Sequence, residues 1–251
     1  MEPVAERVQV LRLGVHAVTR AAACRSVLGW ARDGGRRVVW AAPVHLCMEA
    51  YDDPALAAAG ARADLVVPDG RPVFWAQQLF GRAQEQVRGT DLMLEVCEAA
   101  AAENVAIGLY GSTPEVLAEL QRELPARFPG LRIAFAESPP FRPLSAEEEE
   151  GYVQRVNASG ARLVFVGLGC PRQERFMDAT RDRVHAVQFG VGAAFDFLSG
   201  RKPMAPRWMQ VLGAEWLFRF VSEPRRLWRR YLVLNPRFAW NLLRQKFGFA
   251  A

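Results

Sequence analysis

The stretch DLVVPDGRPVFWAQQLFGRAQEQVRGTD, residues 64–91, indicates the kind of fold this chain adopts. Its apolar run at residues 65–67 is followed at once by Pro-Asp-Gly, residues 68–70. A short apolar run without polar alternation is typical of a buried parallel strand, and Pro-Asp-Gly is typical of a turn. The pattern predicts a strand that brings Asp69 to its carboxyl end, where open α/β sheets bind ligands. The alternative is that Asp69 only caps the helix that begins near Pro72.

Apolar runs and amphipathic segments alternate along the rest of the chain up to residue 192. Parallel strands joined by helices need right-handed crossovers, so this rhythm predicts a parallel-sheet, Rossmann-like α/β sandwich. The predicted strands are 8–18 (strand or hairpin), 38–42, 65–67, 105–111, 131–138, 162–169 and 185–192. The predicted helices are 21–33, 45–62 with a break at 52–54, 72–80, 90–103, 114–128, 146–159 and 172–184.

The C-terminal part has a different composition, rich in Trp, Phe, Leu and Arg. From Ser199 onward eleven Lys and Arg residues stand against two acidic ones, a balance of +9 within a total of +5. Its prolines separate amphipathic helical pieces. We therefore predict an α/β domain over residues 1–198 and a basic, aromatic-rich helical C-terminal appendage over residues 199–251. The charge asymmetry indicates an anionic partner: phosphate groups on a ligand, a nucleic acid or a membrane surface.

Composition also bears on compartment and chemistry. The chain has 251 residues of which 51% are hydrophobic, enough for a large core. No apolar window reaches the roughly 18 residues of a membrane span, and the acidic N-terminus is atypical of a signal peptide. We expect a cytoplasmic protein with reduced, scattered cysteines. We expect no metal site, because the histidines lack ligand spacing, and no nucleophilic serine, because no G-x-S-x-G motif occurs. The residues concerned are Cys24, Cys47, Cys97, Cys170, His16, His45 and His185.

Three further turns that follow predicted strands contain glycine: residues 109–114, 167–174 and 190–196. Glycine lets a ligand approach the backbone closely, and the helix that follows offers free N–H groups to phosphate. Together the turns predict a nucleotide-sized groove, although each glycine could instead serve tight packing. Arg172 and Phe195 occupy the third glycine position of the dinucleotide fingerprint, and no P-loop motif occurs.

Taken together, the ordered motifs resemble the WecG/TagA/CpsF glycosyltransferases, glycosyltransferase family 26, from about Val38 to Phe238. They are PDG at 68–70, RGTD at 88–91, YGS at 110–112, SPPFRPL at 138–144, VGLGCPRQE at 166–174, GVGAAFDF at 190–197, EWLFRF at 215–220 and EPRRLWRRY at 223–231.

The resemblance implies an inverting, metal-independent transferase without a cofactor. Its donor would be a UDP-sugar, carrying a hexose or an N-acetylhexosamine such as N-acetylmannosamine. Its acceptor would be a polyprenyl-diphosphate-linked saccharide at the inner face of the bacterial membrane, in exopolysaccharide, capsule or teichoic-acid-type cell-wall synthesis. Residues 1–198 would then be the nucleotide-sugar-binding catalytic domain. The appendage would associate peripherally with the anionic membrane surface and close the active site, with no nucleic acid as partner and with room for a homo-oligomer.

The resemblance also implies roles for single residues. Asp69 matches the proposed general base, and Arg219, Arg226 and Arg229 match arginines thought to close over the site and meet diphosphate. One departure concerns residues 41–43, where Ala-Ala-Pro replaces the usual Thr-x-Asn and puts the donor sugar in doubt. The expected substrate-binding residues are Thr90, Asp91, Gly111, Ser112, Gly167, Gly169, Gln173, Glu174, Gly192 and Phe195.

Two other functions fit parts of the pattern. The alternation of strands and helices allows a nucleotide-dependent oxidoreductase, although the dinucleotide fingerprint and its acidic residue are missing. The basic tail allows a non-catalytic or altered-activity nucleotide-binding membrane adaptor, or a nucleic-acid binder. Trp and Phe among arginines suit a bilayer surface and base stacking alike.

Overall fold

A computed structural model describes residues 5–206, Met209 and residues 215–248 of this protein, without the side chain of Arg226. Eight strands are found in these residues: β1 Arg7–Val10, β2 Leu13–His16, β3 Arg37–Ala42, β4 Leu65–Pro68, β5 Ile107–Gly111, β6 Ile133–Glu137, β7 Leu163–Gly167 and β8 Val187–Gly190. The first helices are α1 Arg20–Arg32, α2 Val44–Asp52, α3 Pro54–Arg62, α4 Arg71–Leu79, α5 Gly89–Ala102 and α6 Pro114–Arg127. They are followed by α7 Ala146–Ser159, α8 Arg172–Thr180, α9 Ala194–Leu198, α10 Glu215–Ser222, α11 Pro224–Trp228 and α12 Asn235–Lys246.

Six of the strands form one parallel sheet in the order β4-β3-β8-β7-β5-β6. The predicted Rossmann-like α/β fold is thereby confirmed. Because successive side chains of a strand point to opposite faces, β3 supplies both halves of the core. Val39 and Ala41 lie in one apolar cluster with α1, α5 and α6, whereas Trp40 lies in the other with α2, α3 and α7. Trp40 is fully buried, and burial of a large apolar side chain contributes about 1.5–3 kcal/mol.

The strands β1 and β2 form a separate antiparallel hairpin, one of the two forms predicted for this segment. Buried polar contacts attach the hairpin to the sheet. The backbone N–H of Val66 in β4 donates to Nδ1 of His16 at 2.9 Å, and Gln77 in α4 donates to the carbonyl oxygen of His16 at 3.0 Å. Burial, together with the charge of Arg7, lowers the pKa of His16 to about 4, so the ring is neutral at physiological pH. This histidine has a structural role.

The described residues 215–248, named the C-terminal run here, are mostly helical. After residue 222 the helix is nearly continuous, whereas the prolines predicted separate pieces. A π-helical turn over Arg229–Leu234 joins α11 to α12. Pro236 has no N–H, and in a regular helix its ring would collide with the carbonyl group of Leu232. The wider turn immediately before Pro236 relieves this conflict. A proline can therefore be accommodated here without ending the helix.

This C-terminal run packs onto the sandwich through α12. Phe238 and Leu242 are buried in the cluster that contains Trp40. The division into domains at residue 198 stays a prediction. In the described part of the chain no helix combines the length and the apolarity needed to cross a bilayer.

Candidate active site

A cleft lies over the carboxyl ends of four adjacent strands, β4, β3, β8 and β7. The turns that follow these strands contribute Asp69, Pro43, Gly192 and Gly169 to its walls. Carboxyl ends of parallel strands are where this class of fold binds ligands, since the backbone N–H groups of the following helices point there. The strand order also explains the position of the cleft. In the sheet, β3 lies on one side of the pair β8-β7 and β5 lies on the other side, so the chain leaves the sheet in different directions after β3 and after β5.

The cleft has two lobes that meet at Asp69. The glycine lobe is lined by the turns after β7 and β8 and by the start of α5. The aromatic lobe is lined by Pro72, Trp216 and Tyr231, and the rings of Trp216 and Tyr231 lie 5.8 Å apart between centroids. Seven residues line both lobes: Pro43, His45, Asp69, Arg88, Glu215, Arg219 and Arg230.

Asp69 lies at the floor of the cleft and does not cap α4. The N-cap position of α4 is Gly70, which has φ +89° and makes no side-chain cap bond. The carboxylate instead accepts a hydrogen bond from the N–H of Gly89, the first residue of α5, at 3.4 Å. Positive φ at Gly70 lets the chain turn away, so the side chain of Asp69 remains in the cleft.

The surroundings of Asp69 make it a stronger base than a solvated aspartate. Burial raises its pKa, and the negative charge of Glu215 raises it further. Arg219, Arg88 and the hydrogen bond from Gly89 oppose this rise without cancelling it. A raised pKa at a cleft floor is typical of groups that accept protons in catalysis.

Glu174 and Gln173 occupy the first turn of α8 and are buried. Nε2 of Gln173 donates to Oε1 of Glu174 at 2.8 Å, and Oε1 of Gln173 accepts from the N–H of Gly192 at 3.1 Å. Gln173 therefore connects the two glycine turns. Burial raises the pKa of Glu174 to about 7, although the hydrogen bond from Gln173 favours the charged form.

Three arginines surround the junction of the lobes. Arg88 pairs with Glu215 at 3.0 Å, which ties α10 to the start of α5. The guanidinium group of Arg219 lies 5.3 Å from the centre of the Phe197 ring. Arg230 forms no ion pair with a carboxylate in the described part of the chain, and burial and the charge of Arg219 lower its pKa. The charge of Asp69 attracts Arg230, and a bound anion would supply a further counterion.

His45 lies beside these arginines on α2. Its Nε2 is 3.1 Å from Oε1 of Glu49. Burial, with the charge of Arg230, lowers its pKa to about 4, so it is neutral at physiological pH. Because His45 then carries no positive charge, the cationic character of the junction comes from its arginines.

The structure brings together seven of the residues predicted for the site. Asp69, Thr90, Gly169, Gln173, Glu174, Gly192 and Arg219 all line the cleft. Asp91 lies next to it and contacts Arg88 at 3.5 Å. Arg88, Arg230 and His45 line the cleft but had no predicted role in it.

The other predicted residues lie outside the lining of the two lobes. Gly111 ends β5, which is separated from the cleft by β7. A Cβ atom on Gly111 would lie 2.5 Å from the carbonyl oxygen of Gly167, and one on Gly167 would lie 2.6 Å from the Phe195 ring. The N–H of Ser112 donates to that same carbonyl at 3.1 Å. These four residues form a packing contact, and their ligand-binding role stays a prediction.

The remaining predicted arginines are on the C-terminal run. Arg229 is exposed and is not part of the cleft, whereas its neighbour Arg230 is. The side chain of Arg226 lies outside the described part of the structure. The spacing of apolar residues could have indicated Arg230. Residues 227, 230, 234 and 238 are three or four positions apart, as residues on one face of a helix are. Leu227 and Phe238 of this set are buried.

Among the described residues there is no group of three or more His, Cys, Asp or Glu side chains that could hold a metal ion. The charged groups available to a ligand in this cleft are therefore its carboxylates and arginines, supported by backbone N–H groups. This set suits a ligand that carries phosphate. The family model described as Glycosyl transferase WecG/TagA/CpsF family matches residues 8–251.

Proposed function

Because the chain belongs to the WecG/TagA/CpsF glycosyltransferase family, we propose that it transfers a sugar with inversion from a UDP-sugar to a polyprenyl-diphosphate-linked saccharide. The observation that carries this proposal is the place of Asp69. It lies where a lobe rich in backbone N–H groups meets a lobe with aromatic walls. The carboxylate of Asp69 thus borders both lobes, an arrangement that suits a reaction between two substrates.

The donor would occupy the glycine lobe. The starts of α5 and α8 face this lobe, and helix N-termini favour phosphate. Gly169 has φ +80°, and among the described residues beyond its two chain neighbours no atom lies within 4 Å of the position of its missing Cβ, so a ligand can approach the backbone. Arg219 and Arg230 would meet the diphosphate, because a planar guanidinium can contact two phosphate oxygens at once.

The acceptor would occupy the aromatic lobe, where a sugar ring can pack on Trp216 or Tyr231. Its hydroxyl oxygen would attack the anomeric carbon while the bond from that carbon to the phosphate oxygen breaks. The hydroxyl proton would pass to Asp69, and the nucleoside diphosphate would leave with the bond's electron pair. A general base of this kind contributes roughly 10²- to 10⁴-fold in rate, and the arginines would stabilise the negative charge of the departing group.

The outer face of the C-terminal run would lie on an anionic membrane surface. Trp228, Leu232, Val233 and Trp240 are exposed there. Aromatic rings at the headgroup level with arginines beside phosphates are typical of peripheral association. This would place the cleft close to a lipid-linked acceptor at the cytoplasmic face.

Mass spectrometry tests the proposed reaction directly. The protein is incubated with a panel of UDP-hexoses and UDP-N-acetylhexosamines and a short-chain polyprenyl-diphosphate-linked saccharide. We expect one donor to add a single sugar to the acceptor and to release UDP, and proton NMR to show the inverted anomeric configuration. Titrations with UDP, NAD and single-stranded DNA accompany the assay. Binding of NAD or DNA in place of UDP, with no transfer from any donor, would overturn the proposal.

A further inference from the structure

Glu174 has a feature that lining a donor pocket does not explain. Its side chain is fully buried, 0% exposed, yet it borders the glycine lobe. Its Oε2 atom has no hydrogen-bond partner among the described residues. A buried polar atom left without a partner is energetically unfavourable, because it has lost its hydrogen bonds to water. Among the described side chains that line the cleft, only Oε2 of Glu174 is left in this unfavourable state.

The hydrogen bonds around Gln173 show where a proton on Glu174 would be. The backbone N–H of Gly192 can only donate, so the side-chain atom of Gln173 that faces it must be the amide oxygen. The NH₂ group of Gln173 then faces Oε1 of Glu174, which must accept. Oε1 is thus occupied as an acceptor, and a proton on this carboxyl group belongs on Oε2. The atom without a partner becomes a hydrogen-bond donor.

We propose that Glu174 is protonated when the donor substrate binds and that its Oε2–H group donates a hydrogen bond to an oxygen of the nucleotide sugar. This inference rests on the proposed function and adds a specific contact and a protonation state to it. A neutral carboxyl group suits this position, because an ionised one at the start of α8 would repel the diphosphate. The bound oxygen also supplies the partner that Oε2 lacks.

The electrostatic surroundings agree with a neutral Glu174. Burial raises its pKa to about 7, and Glu49 on α2 repels its charged form. The hydrogen bond from Gln173 and the nearby Cys170 thiol favour the charged form but do not outweigh burial. The other charged side chains that line this lobe are Asp69, Arg88, Glu215, Arg219 and Arg230.

The Glu174→Gln variant imitates the protonated side chain. Its amide oxygen can accept from Gln173, and its NH₂ group replaces the Oε2–H donor. Glu174→Ala removes the donor, and Glu98→Gln is the control because Glu98 is an exposed carboxylate on α5. The probe is UDP-N-acetylglucosamine, whose diphosphate is esterified at both ends and does not titrate near neutral pH. Affinity is measured by calorimetry from about pH 5.5 to about pH 8.5.

We expect the affinity of wild type and of Glu98→Gln to be constant below the pKa of Glu174. It should fall toward tenfold per pH unit above it, since ligand binding then requires uptake of a proton. Glu174→Gln should keep the low-pH affinity of wild type at every pH, and Glu174→Ala should bind about tenfold or more weakly throughout. Buffers of different ionisation enthalpy should show proton uptake on binding at about pH 8 in wild type and none in Glu174→Gln.

Two results would contradict the inference while leaving the proposed function intact. One is wild-type binding that does not weaken with rising pH. The other is a folded Glu174→Gln variant, checked by circular dichroism, that binds as poorly as Glu174→Ala, which would mean that an ionised carboxylate is required. If wild type failed to bind this or any other UDP-sugar, the proposed function would fail and this inference with it.

Discussion

The sheet and the C-terminal helical run distribute their side chains in opposite ways. In the sheet, apolar residues such as Trp40 and Phe165 are fully buried. In the run from residue 215 to residue 248, Arg219 and Arg230 line the cleft, whereas Trp228 and Trp240 are 49% and 65% exposed. Neither α10 nor the π-helical turn contains a buried residue. The run is only partly explained by the packing of a core.

This difference agrees with the proposal that the two sides of the run bind different partners. The cations on its inner side, Arg219 and Arg230, line the cleft, where a bound anion can contact them. Several large apolar residues of the run are exposed, among them Trp228, Leu232 and Trp240, and exposed apolar residues that lie together are typical of an interaction surface. The turns after the strands supply Asp69 and the backbone N–H groups, and the run supplies Arg219 and Arg230. A change on each side should therefore alter a different measurement.

The largest effect is expected at the strand end. Asp69→Asn keeps an acceptor for the N–H of Gly89 but removes the base, so turnover should fall at least about a hundredfold. UDP affinity and thermal stability should stay nearly unchanged. In wild type, kcat should rise with pH as Asp69 ionises, and burial places this rise above the ordinary range of an aspartate. Full turnover in the variant would reduce Asp69 to a contact between β4 and α5.

The inner side of the run should give the next largest effect. Arg230→Ala should lower kcat/KM about tenfold to a hundredfold, since it removes a hydrogen bond to a charged group. Arg229→Ala is the matched control, because it removes the same charge from an exposed neighbour. The resemblance assigned the role to Arg229. A larger loss from Arg229→Ala than from Arg230→Ala would show that the inner side of the run is misassigned.

The outer side should give the smallest effect, and only on membrane binding. Trp228→Ser and Trp240→Ser should each weaken binding to anionic vesicles by about tenfold, because each variant loses one ring that would insert among the lipid headgroups. Turnover with a short-chain, water-soluble acceptor should not change. Trp75→Ser is the control, because Trp75 is 53% exposed on α4, outside the run. An equal loss from Trp75→Ser would contradict a specific membrane surface on the run.

Point changes test the C-terminal run more cleanly than a deletion of all residues from Ser199 onward. Phe238 and Leu242 pack in the core next to α2. Removing them would leave a cavity. Truncation of one buried large apolar side chain lowers the free energy of unfolding by about 2–5 kcal/mol. If the truncated protein did not bind vesicles, the result would not show whether it had lost the membrane-binding surface or the fold.

Local patterns predicted the strands and helices of the sandwich closely. The break at residues 52–54 is the boundary between α2 and α3, where Asp53 accepts from the N–H of Ala55 and Pro54 opens the next helix. Such signals lie within a few residues of each other in the chain, so they act before any tertiary contact forms.

The glycine turns show where this reasoning was insufficient. Gly169 and Gly111 both have positive φ, and each lies at or just after the carboxyl end of a strand. At Gly169 the space beside the backbone is open, but at Gly111 it is filled by the carbonyl oxygen of Gly167. Glycine is needed wherever something approaches the backbone closely, whether a ligand or another strand. The sequence signal is the same in the two cases.

The amino-acid sequence by itself determined the α/β class, the parallel strands and the position of Asp69 at a strand end, because these depend on spacing along the chain. Tertiary structure decided which turns share the cleft, since that depends on the strand order β4-β3-β8-β7-β5-β6. It also decided that Arg230 lies inside and Arg229 outside. Adjacent residues of a helical segment point in different directions, so only packing against the sandwich sets which of these two meets a ligand.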